Sequence, residues 1–281
     1  MIEELKNIWR ACFNDADAYI DFYFSERYCP KNTFVHCETG RGVAMMTLLP
    51  ATVVTPHEEF AARYVYAVAT LPEFRNKGIS FSLAQQADEQ ARTENCALEI
   101  VVPATPELFH FYARQGFSTT FYHRIVEFSA DEIAPADVLE GTPLQEAETF
   151  FTLRERYFAT DGFFVRWDSA ALQYILKESR LLQGDVYYFS QGDDDGYVVV
   201  EPKNNIMLLK EVALTPALAP AALHFLKQRY AHCRRFICHL AVNSPLWAKR
   251  GTTEPLAMLK WLIPPPAAIS TVHAYVNLLK N

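Results

Sequence analysis

The stretch ATLPEFRNKGISFSL, residues 69–83, joins a β-type run to a helix through a very short turn. Pro72 ends the β-type run, and the apolar spacing after Gly78 predicts a helix. Arg75 and Lys77 stand at the turn between them, where a globular core does not require cations. A strand that leads directly into a helix restricts the fold to classes that combine both elements. The stretch therefore predicts an α/β protein with a charged strand-to-helix turn.

Hydrophobic periodicity predicts the elements around this stretch. Helical spacing covers most of the first thirty positions, and a β-hairpin is predicted over residues 33–54. After a predicted loop over 55–61, three strands alternate with two helices as far as residue 128. The fold class is therefore α/β (α+β), with a mixed, mostly antiparallel sheet flanked by helices.

The second half of the chain repeats this order of elements. EVALTP at 211–216 is similar to AVATLP at 67–72, and WAKRGT at 247–252 is similar to YARQGF at 112–117. ALAPAAL at 217–223 stands where the first copy has Arg75, Lys77 and Gly78, which we call the cation and glycine turn. We therefore predict a tandem repeat whose second copy is degenerate, with one site in the first copy.

A polar segment separates the two copies. Residues 131–143, DEIAPADVLEGTP, hold proline, glycine and several acids, which is the composition of a linker. The predicted domains are therefore residues 1–130 and residues 144–281, joined by the linker 131–143.

Charge is divided unevenly along the chain. Residues 1–141 carry 11 Lys and Arg against 20 Asp and Glu, a net charge of −9, whereas residues 142–281 carry +2. Because phosphate binding needs a basic face, no nucleic-acid partner is expected, and the acidic first half favours a cationic partner. The N-terminus lacks a secretion signal, the longest apolar run (43–54) is too short to cross a bilayer, and no CxxC pair occurs. We expect a cytoplasmic protein with no membrane partner, and the sequence leaves the oligomeric state open.

Two clusters contain metal-binding residue types without metal-binding spacing. In HCRRFICH at 232–239, Cys238 and His239 would face opposite sides of a strand, which indicates core cysteines and a surface histidine. The DDD at 193–195 lies at a predicted hairpin turn and lacks the alternating ligands of a calcium loop. No metal is expected.

The turn in the opening stretch has the residue types of an anion site. A helix N-terminus presents unpaired N–H groups and the positive end of the helix dipole. Gly78 allows close approach of the backbone, and Arg75 and Lys77 add full charges. Together they predict a pyrophosphate cradle. The Gly-Lys-Ser/Thr of a Walker loop and the three glycines of a dinucleotide fingerprint are absent. The alternative interpretation is an ordinary turn with solvated cations.

Two motifs in order resemble one enzyme family. TLPEFRNKGISFSL resembles motif A of the GCN5-related N-acetyltransferases (GNAT), in which a strand and a proline precede Arg/Gln-x-x-Gly-x-Gly/Ala at a helix start. About thirty residues later, ELFHFYARQGF resembles the family's FY-x-x-x-GF motif. The resemblance covers residues 1–130 and extends weakly to the second copy. Ser80 departs from the family pattern, but serine is small and can donate to a phosphate.

The resemblance implies an acetyl-CoA site at these positions. The backbone of Ala69, Thr70 and Leu71 would pair with the pantetheine arm, and an N–H near Val68 or Ala69 would stabilise the thioester oxyanion. Tyr112 would protonate the departing thiolate, although a buried tyrosine with its hydroxyl engaged elsewhere is the alternative. The amides that would wrap the pyrophosphate belong to Arg75, Asn76, Lys77, Gly78, Ile79 and Ser80.

The general base is left open by the sequence. An ammonium acceptor must lose a proton before it attacks, and a carboxylate or histidine often takes that proton. Glu59 is the candidate that we name, and no spacing rule excludes the others. The other candidates are His57, Glu58, Tyr64, Tyr66 and Glu99.

The leading functional interpretation is an N-acetyltransferase that moves acetyl from acetyl-CoA to a primary amine of a small molecule or peptide. The tandem layout is similar to that of enhanced-intracellular-survival acetyltransferases, but we expect no sterol-carrier-like domain after residue 281 and do not transfer their substrates. The alternative is a non-catalytic CoA-binding or sensor module. A structural protein without a CoA site would require the cation and glycine turn to be a coincidence.

Overall fold

The structure is a computed structural model, and it describes residues 1–159, 162–266, 271 and 273–277. The helices in these ranges are α1 (Ile2–Cys12), α2 (Asp17–Glu26), α3 (Ile79–Thr93), α4 (Pro106–Ala113), α5 (Ala147–Phe158), α6 (Ser169–Leu181) and α7 (Ala219–Arg229). The strands are β1 (Thr33–Glu38), β2 (Arg41–Val54), β3 (Glu59–Thr70), β4 (Leu98–Val101), β5 (Ser118–Ser129), β6 (Thr142–Pro143), β7 (Phe164–Arg166), β8 (Asp185–Gln191), β9 (Asp194–Lys203), β10 (Ile206–Ala213), β11 (Arg235–Ala241) and β12 (Thr252–Trp261).

The predicted fold class is confirmed: a mixed, mostly antiparallel sheet is flanked by helices. In the described residues the strands form one sheet in the order β1-β2-β3-β4-β12-β5-β11-β10-β9-β8-β6, and β7 pairs with β2. The loop predicted over 55–61 is shorter than expected, because β3 already begins at Glu59. The predicted end of the second domain, residue 281, lies outside the described residues.

Strand pairing in the second half repeats that of the first. The pairs β1–β2 and β2–β3 are antiparallel and β3–β4 is parallel across α3. In the same way β8–β9 and β9–β10 are antiparallel and β10–β11 is parallel across α7. The internal similarity of the sequence therefore corresponds to the same local topology in both halves.

The last strand of each half pairs with the other half. β12, from the end of the chain, lies between β4 and β5, and β5 pairs with β11 of the second half. Because β5 and β12 also pair with each other, no open edge interrupts the sheet where the halves meet. The helices α5 and α6 likewise pack into the core of the first half, since Phe150 and Leu172 share a cluster with Trp9 and Leu98.

Candidate functional site

The site lies where β3 and β4 separate. The two parallel strands pair only from Ala62–Val65 to Leu98–Val101, whereas β3 continues to Thr70 and β4 ends. Beyond Val65 the β4 side of β3 therefore has no strand partner among the described residues. A strand edge without a pairing strand is the usual template for an added extended segment.

A β-bulge interrupts β3 inside this opening. Ala67 has a φ of +50°, and Ala67 and Val68 together oppose the single residue Met46 of β2. A left-handed alanine costs about 1–2 kcal/mol, so the packing around it must impose that conformation. The bulge reorients the backbone at Val68 and Ala69, near which one N–H group was predicted to stabilise an oxyanion.

The turn after β3 is built as the sequence predicts. A 3₁₀ turn at Pro72–Phe74 follows the strand, and Gly78 caps α3 with a φ of +76°. Arg75 folds back, so that its Nε donates to the Thr70 carbonyl oxygen at 3.0 Å. The ammonium of Lys77 lies 4.8 Å from the centre of the Phe74 ring.

Two adjoining cavities open along this strand end. The larger has a volume of about 490 Å³ and follows the turn, and the smaller has a volume of about 120 Å³ and lies between β3, β4 and α1. Phe13, Val68, Leu108 and Tyr112 line both cavities, so the two meet at the bulge. The predicted residues on the wall of the larger cavity are Val68, Ala69, Thr70, Arg75, Asn76, Gly78, Ile79, Ser80 and Tyr112.

Two predicted cofactor-binding residues lie off that wall. The N–H of Leu71 donates to the Val43 carbonyl oxygen at 3.0 Å and is therefore engaged within the protein. The Lys77 side chain rests on Phe74 rather than lining the cavity.

Ser80 fits a phosphate ligand in an observable way. Its Oγ is buried and has no hydrogen-bond partner among the described residues, and Ser80 lines the larger cavity at the first turn of α3. A buried hydroxyl without a partner is costly unless a ligand or water satisfies it. The donor set at the turn therefore suits an anion such as a pyrophosphate.

Tyr112 lies where the two cavities join. The side chain is buried, and burial raises the pKa of its phenol to about 12. The hydroxyl makes no hydrogen bond to another residue in the part of the chain that the structure describes. Tyr112 is therefore a neutral donor near physiological pH, and its hydroxyl is available to a group at the junction.

The structure does not bring Glu59 to these cavities. Glu59 stands at the start of β3, exposed, and its Oε1 accepts from Arg166 at 2.7 Å. Five residues of extended strand, about 16 Å, separate it from Tyr64 on the cavity wall. His57 and Glu58 are exposed at the same far end. We therefore do not retain Glu59 as the base.

Glu99 also lies away from the cavities. It is buried on β4, and its Oε2 is 3.8 Å from Nζ of Lys260 on β12. Burial raises the pKa of this carboxyl to about 8. Lys260 also binds both carboxylate oxygens of Asp88 on α3, so Glu99 belongs to a polar cluster beneath that helix.

One functional candidate, Asp15, was not identified from the sequence. It lies between α1 and α2, lines the smaller cavity, and accepts from the Trp9 indole Nε1 at 2.9 Å. Its neighbours on that wall are aromatic or aliphatic, including Trp9, Phe13 and Tyr66. No motif marks Asp15, because the α1–α2 turn meets β3 only in the folded chain.

Behind Tyr66 lies a buried polar network between the two halves. The Tyr19 hydroxyl donates to Glu178 Oε1 at 2.7 Å and is 3.2 Å from the Tyr174 hydroxyl and 3.4 Å from the Tyr66 hydroxyl. Glu178 belongs to α6 and is 4% exposed. Its Oε2 is 3.8 Å from Nζ of Lys210.

His239 and the two nearby cysteines are the residues for which a metal site was considered and not expected from the sequence. Cys233 and Cys238 are buried as expected, but His239 is half-buried rather than on the surface, since its ring packs 4.9 Å from that of His123 on the adjacent strand. Within the described residues no group of three or more His, Cys, Asp or Glu is arranged to hold a metal.

Among these residues no helix is long and apolar enough to cross a membrane.

Solved structures share this fold. A GCN5-related N-acetyltransferase from Anabaena variabilis superposes with a TM-score of 0.73 at 17% identity, covering 93% of this chain and 70% of the other. A conserved protein of unknown function from Enterococcus faecalis gives a TM-score of 0.71 at 16% identity, with coverages of 93% and 70%. A GCN5-related N-acetyltransferase from Kribbella flavida gives 0.69 at 15% identity, with coverages of 92% and 68%. At these identities the likeness shows the fold.

Sequence comparison identifies the family of the first half. No curated protein sequence matches the chain. A family model for an acetyltransferase (GNAT) domain matches residues 1–120, the segment that holds the bulge, the cation and glycine turn and Tyr112. Residues 1–120 therefore belong to the GNAT acetyltransferase family.

Proposed function

We propose that this protein is an N-acetyltransferase that transfers an acetyl group from acetyl-CoA to a primary amine of a small molecule or peptide. One observation carries the proposal: the open edge of β3, the cation and glycine turn and Tyr112 line two cavities that meet at the β3 bulge. A family domain of acyltransferases accounts for all three features together.

The larger cavity supports acetyl-CoA as the donor. Acetyl-CoA supplies an acyl group activated as a thioester. On the protein side, the edge of β3 at Val68 and Ala69, which has no strand partner among the described residues, would pair with amide groups of the pantetheine arm. The Thr70 carbonyl oxygen already accepts from Arg75 and Cys12. The α3 N-terminus, Arg75 and the unpartnered Ser80 hydroxyl would hold the pyrophosphate.

The smaller cavity supports an amine as the acceptor. Asp15 places a carboxylate on a wall that is otherwise aromatic and aliphatic. A carboxylate beside aromatic faces is a favourable environment for an ammonium group. The net charge of −9 on residues 1–141 adds a long-range attraction for a cationic substrate.

Calorimetric titration with acetyl-CoA and with CoA tests the donor site. We expect the wild type to bind both, and Arg75→Ala to weaken binding about tenfold, because a charge-assisted contact to phosphate is lost. Lys203→Ala, which removes an exposed cation at the end of β9, is the matched control and should leave binding unchanged. Absence of binding to the wild type would refute the acyltransferase proposal.

Turnover tests the reaction. Release of the CoA thiol is followed with a panel that contains an aliphatic monoamine, a diamine, an arylalkylamine and a lysine-containing peptide. Acetylation of any member, verified by mass spectrometry of the product, supports the proposal. Tight binding of acetyl-CoA with no acetylated product across the panel would favour the non-catalytic CoA-binding module instead.

A further inference from the structure

We propose that Glu178 of the second half receives the proton of the acceptor amine through the hydroxyls of Tyr66 and Tyr19. This inference rests on the proposed function, because it concerns the acceptor side of the same site. It assigns Glu178 and Tyr19 as positioning residues that act through Tyr66. It also gives the degenerate second half a chemical role.

A series of side-chain hydroxyls leads from the smaller cavity to the second half. Tyr66 lines that cavity, its hydroxyl is 3.4 Å from that of Tyr19, and Tyr19 is 2.7 Å from Glu178 Oε1. The first separation exceeds the optimum for an O–H···O bond, and catalytic hydrogen bonds often shorten once substrate is bound. Tyr19 lies on α2, Tyr66 on β3 and Glu178 on α6, so three separate elements form the path.

Hydrogen-bond direction makes the path suitable for a proton leaving the cavity. A tyrosine hydroxyl has one proton, and that of Tyr19 points to Glu178. The Tyr19 oxygen can then accept from Tyr66, whose hydroxyl lies 3.4 Å away. The Tyr66 oxygen consequently keeps a lone pair that can accept a proton from a donor in the cavity.

The tyrosines suit a relay better than a base. Burial raises the pKa of both Tyr19 and Tyr66, so each stays protonated and passes a proton only as it receives another. Glu178 can accept the proton at the end of the path, because it is a carboxylate that already accepts the Tyr19 hydrogen bond. The ammonium of Lys210 lies 3.8 Å away on the other oxygen of Glu178 and also 3.3 Å from Glu201, which leads towards solvent.

The proton transfer balances. One N–H bond of the acceptor ammonium breaks and its proton forms a new O–H bond on Tyr66, which leaves the nitrogen lone pair free to attack. The former Tyr66 proton moves to Tyr19, and the former Tyr19 proton moves to Glu178 Oε1. The carboxylate becomes a neutral acid, and both tyrosines end as they began.

The experiment compares kcat/KM over a pH series for the wild type and Glu178→Gln with the best amine of the panel. Glutamine keeps the shape and still accepts from Tyr19, but it takes no proton. We expect kcat/KM to fall about 100-fold, the usual contribution of a general base, and its pH dependence to follow the amine alone. The wild type and Glu178→Gln share all other charged and titratable groups around position 178, so a change in the pH profile reports on Glu178 itself. These groups are Tyr19, Arg27, Tyr64, Tyr66, Tyr174, Glu201 and Lys210.

Matched variants separate a relay from a structural role. Tyr19→Phe should lower kcat/KM as Glu178→Gln does, and the double variant should be no worse than either, since both interrupt one path. Tyr122→Phe removes the hydroxyl of an exposed tyrosine on β5 that lines neither cavity, so its pH profile should remain that of the wild type. Glu178→Asp should recover part of the lost rate. Thermal unfolding of each variant shows whether it is folded.

The outcomes distinguish this inference from the proposed function. If the wild type acetylates an amine and Glu178→Gln keeps the wild-type rate and pH profile, the relay is refuted and the acetyltransferase stands. If the wild type acetylates none, both are refuted. A Glu178→Gln variant that loses rate while Tyr19→Phe does not would also overturn the relay. Acetyl-CoA affinity should be equal in all of these variants, because none touches the larger cavity.

Discussion

Among single residues, Tyr112 has the position that most narrowly defines its chemistry. It lines both cavities, is buried, and has a hydroxyl with no protein partner among the described residues. Burial raises its pKa to about 12, so at neutral pH it carries a proton, which in the proposed reaction would go to the departing thiolate.

If Tyr112 is the acid of the proposed reaction, Tyr112→Phe should lower kcat about 100-fold and leave the acetyl-CoA dissociation constant nearly unchanged, because the ring and its packing are kept. Steady-state kinetics and calorimetry on the same preparation measure the two quantities. Tyr122→Phe, at an exposed tyrosine of β5, is the control and should keep the wild-type kcat. A Tyr112→Phe enzyme with wild-type kcat would mean that the thiolate obtains its proton elsewhere.

The positions of Glu59 and Asp15 show why the sequence alone did not identify the carboxylate that faces the cavities. Glu59 stands on the strand of the site but at its far end, where Arg166 binds it. Asp15 stands 50 or more positions before residues 66–70, the end of β3 beyond its pairing with β4, yet it lines the smaller cavity. Position along the chain carries no information on which carboxylate faces a cavity that three elements enclose.

Among the elements, α3 depends most on a single backbone conformation. Gly78 holds a φ of +76° at the helix start, and a Cβ there would meet no atom within 4 Å. Any cost of a side chain therefore comes from the left-handed backbone and not from a clash with the protein.

Gly78→Ala should lower the free energy of unfolding by about 1 kcal/mol and weaken acetyl-CoA binding, because it would strain the turn that we propose holds the pyrophosphate. Urea denaturation and calorimetry measure the two effects. Gly40→Ala is a matched control: Gly40 has a φ of +82°, open space around it and a place in the β1–β2 hairpin. It should lose similar stability and keep full affinity. Equal affinity in both variants would show that the turn does not contact the donor.

At the scale of the whole molecule, β5 and β12 join two similar halves into one sheet, because each of these strands pairs with a strand of the other half. Lys260 on β12 binds Asp88 on α3 and lies beside Glu99 on β4, so the second half contributes to a polar cluster inside the first. Glu99 is 2% exposed, and its Oε1 has no partner among the described residues.

Burial raises the pKa of Glu99 to about 8, which gives stability a definite pH dependence. At pH values between the ordinary pKa of a glutamate and about 8, the folded state binds more protons at Glu99 than the unfolded state does. The contribution of Glu99 to the free energy of unfolding therefore falls as pH rises. Glu99→Gln should remove this pH dependence. The free energy of unfolding of the variant should therefore rise relative to that of the wild type by a few kcal/mol from about pH 5 to about pH 8. Urea denaturation across this range measures it. A constant difference would mean that Glu99 stays ionised in the fold.

The fold class, the strand-to-helix turn and the family of the first half followed from local patterns. A strand that stops at Pro72, a glycine at 78 and the FY-x-x-x-GF motif are each set by the preferences of neighbouring residues. The repeat of EVALTP and AVATLP likewise indicated the common pairing of β3 with β4 and of β10 with β11. Interactions over a few residues decide such features, so they are readable along the chain.

Other features depend on contacts between distant positions. The exchange of β5 and β12 is decided by which strands pair across more than 100 residues, and either pairing keeps the same local hydrophobic pattern. The bulge at Ala67 is imposed by packing against the usual preference of alanine. The path from Tyr66 to Glu178 exists only because α2, β3 and α6 meet in the core. Tertiary packing, which no local pattern encodes, therefore chose the acidic groups that face the site.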